Sequence, residues 1–118
     1  MEEPRSKKMN YFEDDKFWFT RKGAVITVGV SVECFDDIGT VESVTLPNRG
    51  DDVDKEDSLV DLKGSDGYIS VYTPAGGVII DINSELEEDP SPVNDDPDGE
   101  GWLFKIQIQD TADLKEYE

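Results

Sequence analysis
The chain has 118 residues, 29 acidic against 11 basic side chains, a formal charge of −18, and no histidine. A surface of that sign repels nucleic-acid phosphates and anionic headgroups and suits a cationic patch on another protein. The absence of histidine removes the commonest general base and the commonest neutral metal ligand.

Length and a hydrophobic share of 36% fit one domain with a modest core. Residues 1–10 are polar and read as a loose N-terminal end, which leaves 11–118 as that domain. No apolar run reaches the ~20 residues of a membrane helix. The start, Met1-Glu2-Glu3-Pro4-Arg5, lacks the apolar segment of a secretory signal. Neither a membrane nor an exported location is expected, and the cytoplasm is the default.

In chain order, Phe17 to Thr20 and Ala24 to Val30 read as a strand pair turned at Arg21-Lys22-Gly23. Val32 to Phe35 predicts a short helical turn. It contains Cys34, the single cysteine, which cannot close an internal disulfide and sits in the apolar context of a buried thiol. A reactive cysteine needs a cationic neighbour and a base, and neither stands nearby in sequence. Thr40 to Leu46 is a strand closed by Pro47, and Asn48-Arg49-Gly50-Asp51 is a turn. Ser58 to Leu62 and Tyr68 to Tyr72 are strands around the turn Gly64-Ser65-Asp66-Gly67. Pro74-Ala75-Gly76-Gly77 turns into an apolar strand, Val78 to Ile82. Residues 87–101, rich in proline and acid, read as too polar for a core element. Trp102, Phe104, Ile106 and Ile108 alternate onto one buried face of a last strand, and Thr111 to Tyr117 predicts a short helix capped by Asp110 or Thr111. Short strands with regular turns predict a small sandwich or flattened barrel.

Chemistry-bearing patterns are few. An EF-hand loop counted from Asn94 places Asp96, Asp98 and Gly99 correctly but meets Lys105 where the bidentate glutamate belongs. No metal site is expected. The carboxylate pairs Asp36-Asp37 and Asp51-Asp52 lie in turns or on opposite strand faces. Without histidine no Ser-His-Asp or Cys-His set exists, and Gly76-Gly77 lacks the spacing of a phosphate loop. The residues predict a protein with no catalytic site of its own.

Three stretches resemble the H protein of the glycine cleavage system: Ile38-Gly39-Thr40-Val41 with Leu46-Pro47 and Gly50-Asp51-Asp52-Val53; Tyr72-Thr73-Pro74 with Gly77-Val78; and Asn83, Leu86, Val93-Asn94, Asp96-Pro97 and Gly99-Glu100-Gly101-Trp102-Leu103. The resemblance covers residues 11–110, with Lys16 where the family usually has histidine. It implies a mainly β fold of the lipoyl/biotinyl type, a flattened barrel or sandwich hybrid of two small sheets with short peripheral helices. It further implies a protein that carries lipoate on a hairpin-tip lysine; it gives no reason to expect an obligate dimer, and a monomer is the default. The implied partners are glycine decarboxylase, aminomethyltransferase, dihydrolipoyl dehydrogenase and lipoate-attaching enzymes. In such a carrier the cofactor supplies the chemistry and the protein supplies a stalk and docking surfaces.

At the tip the resemblance breaks. The family's lipoyl lysine stands eight residues before the proline of its Tyr-Ser-Pro turn. Eight before Pro74 is Asp66, and the family's glutamate three residues earlier is Lys63 here. An aspartate cannot form the lipoyl amide, because acylation needs an amine nucleophile. The expectation is therefore an H-like binding or regulatory protein without lipoate. The alternative is a lipoylated carrier using Lys63 through a three-residue shift, and the alternative from another class is an acidic metal-binding module.

Overall fold
A computed structural model describes residues 9–117; most of the polar N-terminal end therefore lies outside the described residues. Among the described residues nine strands form two antiparallel sheets. The larger has the order β1 (Asn10–Phe12), β2 (Phe17–Lys22), β3 (Val25–Val30), β9 (Phe104–Ile108), β8 (Gly77–Ile82), β5 (Asp52–Val53). The smaller has β6 (Ser58–Gly64) at its centre, between β4 (Val41–Thr45) and β7 (Tyr68–Tyr72). Two short helices, α1 (Phe35–Ile38) and α2 (Ser91–Asp95), and 3₁₀ segments, the longest Thr111–Tyr117, lie at the periphery. This is the mainly β, two-sheet architecture with short peripheral helices read from the sequence.

Period-two alternation builds the core between the sheets. Phe17 and Phe19 of β2, Ile26 and Val28 of β3, and Phe104 and Ile106 of β9 point inward, against Val60 and Leu62 of β6 and Val71 of β7; all are buried. Phe12 closes one end, its ring 5.4 Å from Phe17 and 5.3 Å from Tyr72 in edge-on contacts, the geometry the ring quadrupoles favour.

β2 is buried on both faces, Phe17 through Thr20. The outer face is covered by the loop after α2. The Trp18 indole N–H donates to the carbonyls of Val30 (2.8 Å) and of Pro97 in that loop (3.1 Å). Gly29, opposite Trp18 in the register, is required beneath the ring, since a Cβ there would come within 2.6 Å of Trp18 Cε2.

Two readings need correction. Residues 87–101 contribute to the core after all: α2 forms within them and buries Val93, after a 3₁₀ turn that buries Leu86. One or two apolar residues per turn suffice for so short an element, and the surrounding acids hide them. Trp102 is only half-buried, while Leu103 beside it is fully buried. The ladder of β9 begins at Phe104, so the alternation does not extend back to Trp102.

Candidate functional site
The hairpin β6–β7 carries the candidate site. Its register pairs Lys63 with Tyr68, and the Gly64 N–H donates to the Gly67 carbonyl at 2.7 Å. Ser65 and Asp66 therefore form the tip, as the turn composition predicted.

The tip is clamped to the chain around α1 by its backbone. The Asp66 N–H donates to the Ile38 carbonyl (2.8 Å) and the Ser65 N–H to the Thr40 carbonyl (2.9 Å). The Thr40 N–H donates in return to Ser65 Oγ (3.2 Å). Two glycines allow this approach. A Cβ at Gly64 would overlap the Ile38 carbonyl oxygen, and Gly39, at φ 75°, leaves room for the Ser65 and Asp66 side chains. The sequence showed Gly64 only as a turn residue and Gly39 only as part of a family-like stretch; nothing local signals that two distant segments meet over them.

Asp66 is exposed at the tip, and Lys63 is exposed three residues earlier inside β6. The structure thus does not bring Lys63 to the tip. It lies on the outer face of the small sheet, in one cross-strand row with Ser43 and Tyr68; the neighbouring row on that face is Thr45, Asp61 and Ser70. These rows line an open cleft of about 760 Å³. Within it Ser70 Oγ donates to Asp61 Oδ1 at 2.6 Å.

Behind the clamp, Lys16 Nζ pairs with Asp37 of α1 at 2.5 Å. The hydrogen bond that Lys16 donates to Asp37 raises the Lys16 pKa, against a smaller opposing effect of burial. Cys34, which precedes α1, is fully buried, and desolvation pushes its thiol up to about 11. Lys16 is a cationic neighbour that the sequence order concealed. Its lowering of the thiol pKa is outweighed by burial and by Asp37, so the thiol stays protonated and unreactive at neutral pH.

After α2, Asp96 serves the loop itself. Asp96 Oδ2 accepts from the Glu100 N–H at 3.0 Å, and the Asn94 side chain pairs with both backbone groups of Val41, at 2.8 and 3.0 Å, holding the start of β4. Among the described residues no group of three or more His, Cys, Asp or Glu converges on a point that could hold a metal.

A family model described as glycine cleavage H-protein matches residues 9–117. The chain belongs to the glycine cleavage H-protein family. Among its relatives, the glycine cleavage system H protein of Thermotoga maritima is 33% identical over 109 residues, covering 92% of this chain and 88% of the relative. That of Synechocystis is 36% identical over 107 residues, covering 90% and 81%. The crystal structure of a glycine cleavage system H protein from Mycobacterium marinum superposes with a TM-score of 0.75 at 23% identity, over 92% of this chain and 94% of the other, which shows the shared fold. Within this H-protein frame no helix among the described residues is long and apolar enough to cross a membrane.

Proposed function
We propose that this chain is an H-family protein that no longer carries lipoate and acts by docking, either on the enzymes that handle lipoyl-bearing H proteins or on those that attach lipoate. The observation that carries this reading is the clamped tip. The residue presented there is Asp66, and a carboxylate cannot be acylated to the lipoyl amide. The residues at the tip do not fit the group. Moving Lys63 toward the tip by one place would set its side chain where Gly64 meets the Ile38 carbonyl. An odd slip would also expose Val60 and Leu62, now buried, because it reverses the faces of β6. The acidic surface supplies attraction to a cationic partner site, and that attraction weakens as salt screens it. On this reading glycine decarboxylase, aminomethyltransferase, dihydrolipoyl dehydrogenase and the lipoate-attaching enzymes are the partners to try first.

A second reading keeps the carrier role, with Lys63 as acceptor. It is favoured by one observation: Lys63 is an exposed amine beside an open cleft.

Co-expression with a lipoate-attaching enzyme and supplied lipoate, followed by intact mass and peptide mapping, separates the two. An unmodified chain, beside an ordinary H protein modified in the same cells, is expected. A lipoyl mass on Lys63 would overturn the docking-only reading. Binding to the partner enzymes, titrated at low and high salt, then tests the docking itself; no salt-sensitive binding to any of them would leave that role without support.

A further inference from the structure
A second cavity lies on the outer face of the large sheet, away from the hairpin tip. It has a volume of about 240 Å³, and its lining includes Trp18, Thr20, Thr27, Asp98, Trp102 and Lys105. It shares no lining residue with the cleft beside Lys63.

Strand register builds it. Thr20 of β2 faces Thr27 of β3, which faces Lys105 of β9, so two hydroxyls and an ammonium stand in one cross-strand row. The acid-rich loop after α2, tied down by the Trp18 indole, forms the wall that brings Asp98 and Trp102 over this row.

Two polar groups in this row lack the partners their surroundings offer. Thr20 is 93% buried, and among the described residues its hydroxyl makes no hydrogen bond. Leaving a buried hydroxyl unpaired is costly, so a native structure that keeps one invites a bound partner for it. Lys105 stands in a chain with 29 acidic side chains, yet among the described residues it has no ion pair. Its cross-strand neighbour Asp81 is turned to Arg49 instead, at 3.2 Å. Lys105 Nζ rests over the Trp102 ring, 5.2 Å from its centroid, which holds the ammonium at the cavity.

We propose that this cavity binds a small zwitterion of the α-amino acid class. The ligand's carboxylate takes the Lys105 ammonium and the Thr20 and Thr27 hydroxyls. Its ammonium takes the Asp98 carboxylate and the face of an indole, where a cation is attracted by the ring quadrupole. The Trp18 N–H is already used by two carbonyls, so that residue offers its ring and no donor. A bare anion would meet both Asp98 and the overall charge of −18; a bare cation would meet Lys105. The volume lies below the roughly 300–1,000 Å³ of drug-sized sites and, at about 30 Å³ per water-sized group, limits the occupant to roughly eight non-hydrogen atoms.

The chain's only two tryptophans both line the cavity, so intrinsic fluorescence reports on it directly. L-alanine titrated into the full chain is expected to give a saturable change. Propionate and ethylamine, each carrying half of the charge pattern, are expected to bind at least about tenfold more weakly. Thr20→Val and Lys105→Gln should each weaken L-alanine by about tenfold with circular dichroism unchanged. Thr20→Val removes an unpaired hydroxyl and should not lower the melting temperature, so it remains decisive if Lys105→Gln disturbs Trp102. No saturable change with L-alanine, equal binding of propionate or ethylamine, or unchanged affinity in Thr20→Val would each overturn the proposal.

Discussion

Gly64→Ala tests the clamp on which the candidate site depends. The added methyl would overlap the Ile38 carbonyl oxygen and stand 2.9 Å from the carbonyl carbon, against an ordinary contact of 3.4 Å or more. The obstacle is backbone and cannot rotate aside. The hairpin and α1 must therefore separate by roughly an ångström. Three hydrogen bonds span that seam: Asp66 N–H to Ile38, Ser65 N–H to Thr40, and Thr40 N–H to Ser65 Oγ. Each contributes about 0.5–1.5 kcal/mol, and overpacking adds about 1–3. With partial relaxation the expected loss is about 2–4 kcal/mol, a melting shift of roughly 10–20 °C for a domain of this size. Gly67→Ala is the control. Its nearest obstacle is the Asp37 carbonyl oxygen at 3.2 Å, and its cost should stay below about 1 kcal/mol. Urea unfolding of both variants gives the comparison. A Gly64→Ala protein within about 0.5 kcal/mol of the parent would refute the close approach of hairpin and α1.

Four further outcomes are expected. Asp66→Lys should fold with a stability change within about 0.5 kcal/mol, because the position is exposed, and should gain a lipoyl mass under the co-expression conditions above; a folded but unmodified variant would show that the tip lacks more than its lysine. Trp18→Phe should cost about 1–3 kcal/mol by thermal unfolding, since it strips the donor from the Val30 and Pro97 carbonyls. Stability should fall as pH rises from about 9 to about 11: the Cys34 thiol ionises near its ordinary value of 9.0 when unfolded but only at about 11 when folded, so the unfolded state loses its proton first. Cys34→Ala should flatten that slope in pH-dependent denaturant melts. Raising NaCl from about 0.01 M to about 1 M should increase the melting temperature, as the screening length falls from about 30 to about 3 Å and self-repulsion of the −18 surface is relieved.

How much was legible in the sequence varied with the range of the interactions involved. The hairpin Ser58 to Tyr72 was readable because its signals are local: alternating apolar residues on each side of Gly64-Ser65-Asp66-Gly67. Only the end of β6 moved, from Leu62 to Gly64. The pair β2–β3 was readable for the same reason. β5 was not anticipated, since two residues, Asp52 and Val53, become a strand only by pairing with β8. β1 was missed too; Tyr11 and Phe12 gain their strand from β2. Between them Glu13, Asp14 and Asp15 adopt left-handed backbone angles, φ 54°, 57° and 66°, a conformation aspartate tolerates better than most residues but that no pattern announces. At the site, the sequence placed Asp66 at the tip and Lys63 before it. What stayed hidden were the long-range contacts: Lys16 beside Asp37 and Cys34, Asn94 on Val41, and Gly64 against Ile38.

The clamp has a consequence for descent as well as for stability. The tip is located mainly by main-chain donors of residues 65 and 66 and by the missing side chains of Gly39 and Gly64. The side chain at 66 takes no part in these bonds. Where the tip stands and what it presents are therefore inherited separately. A lineage can exchange the reactive group at that place by a single substitution, in either direction, while every surface that a partner recognises stays where it was.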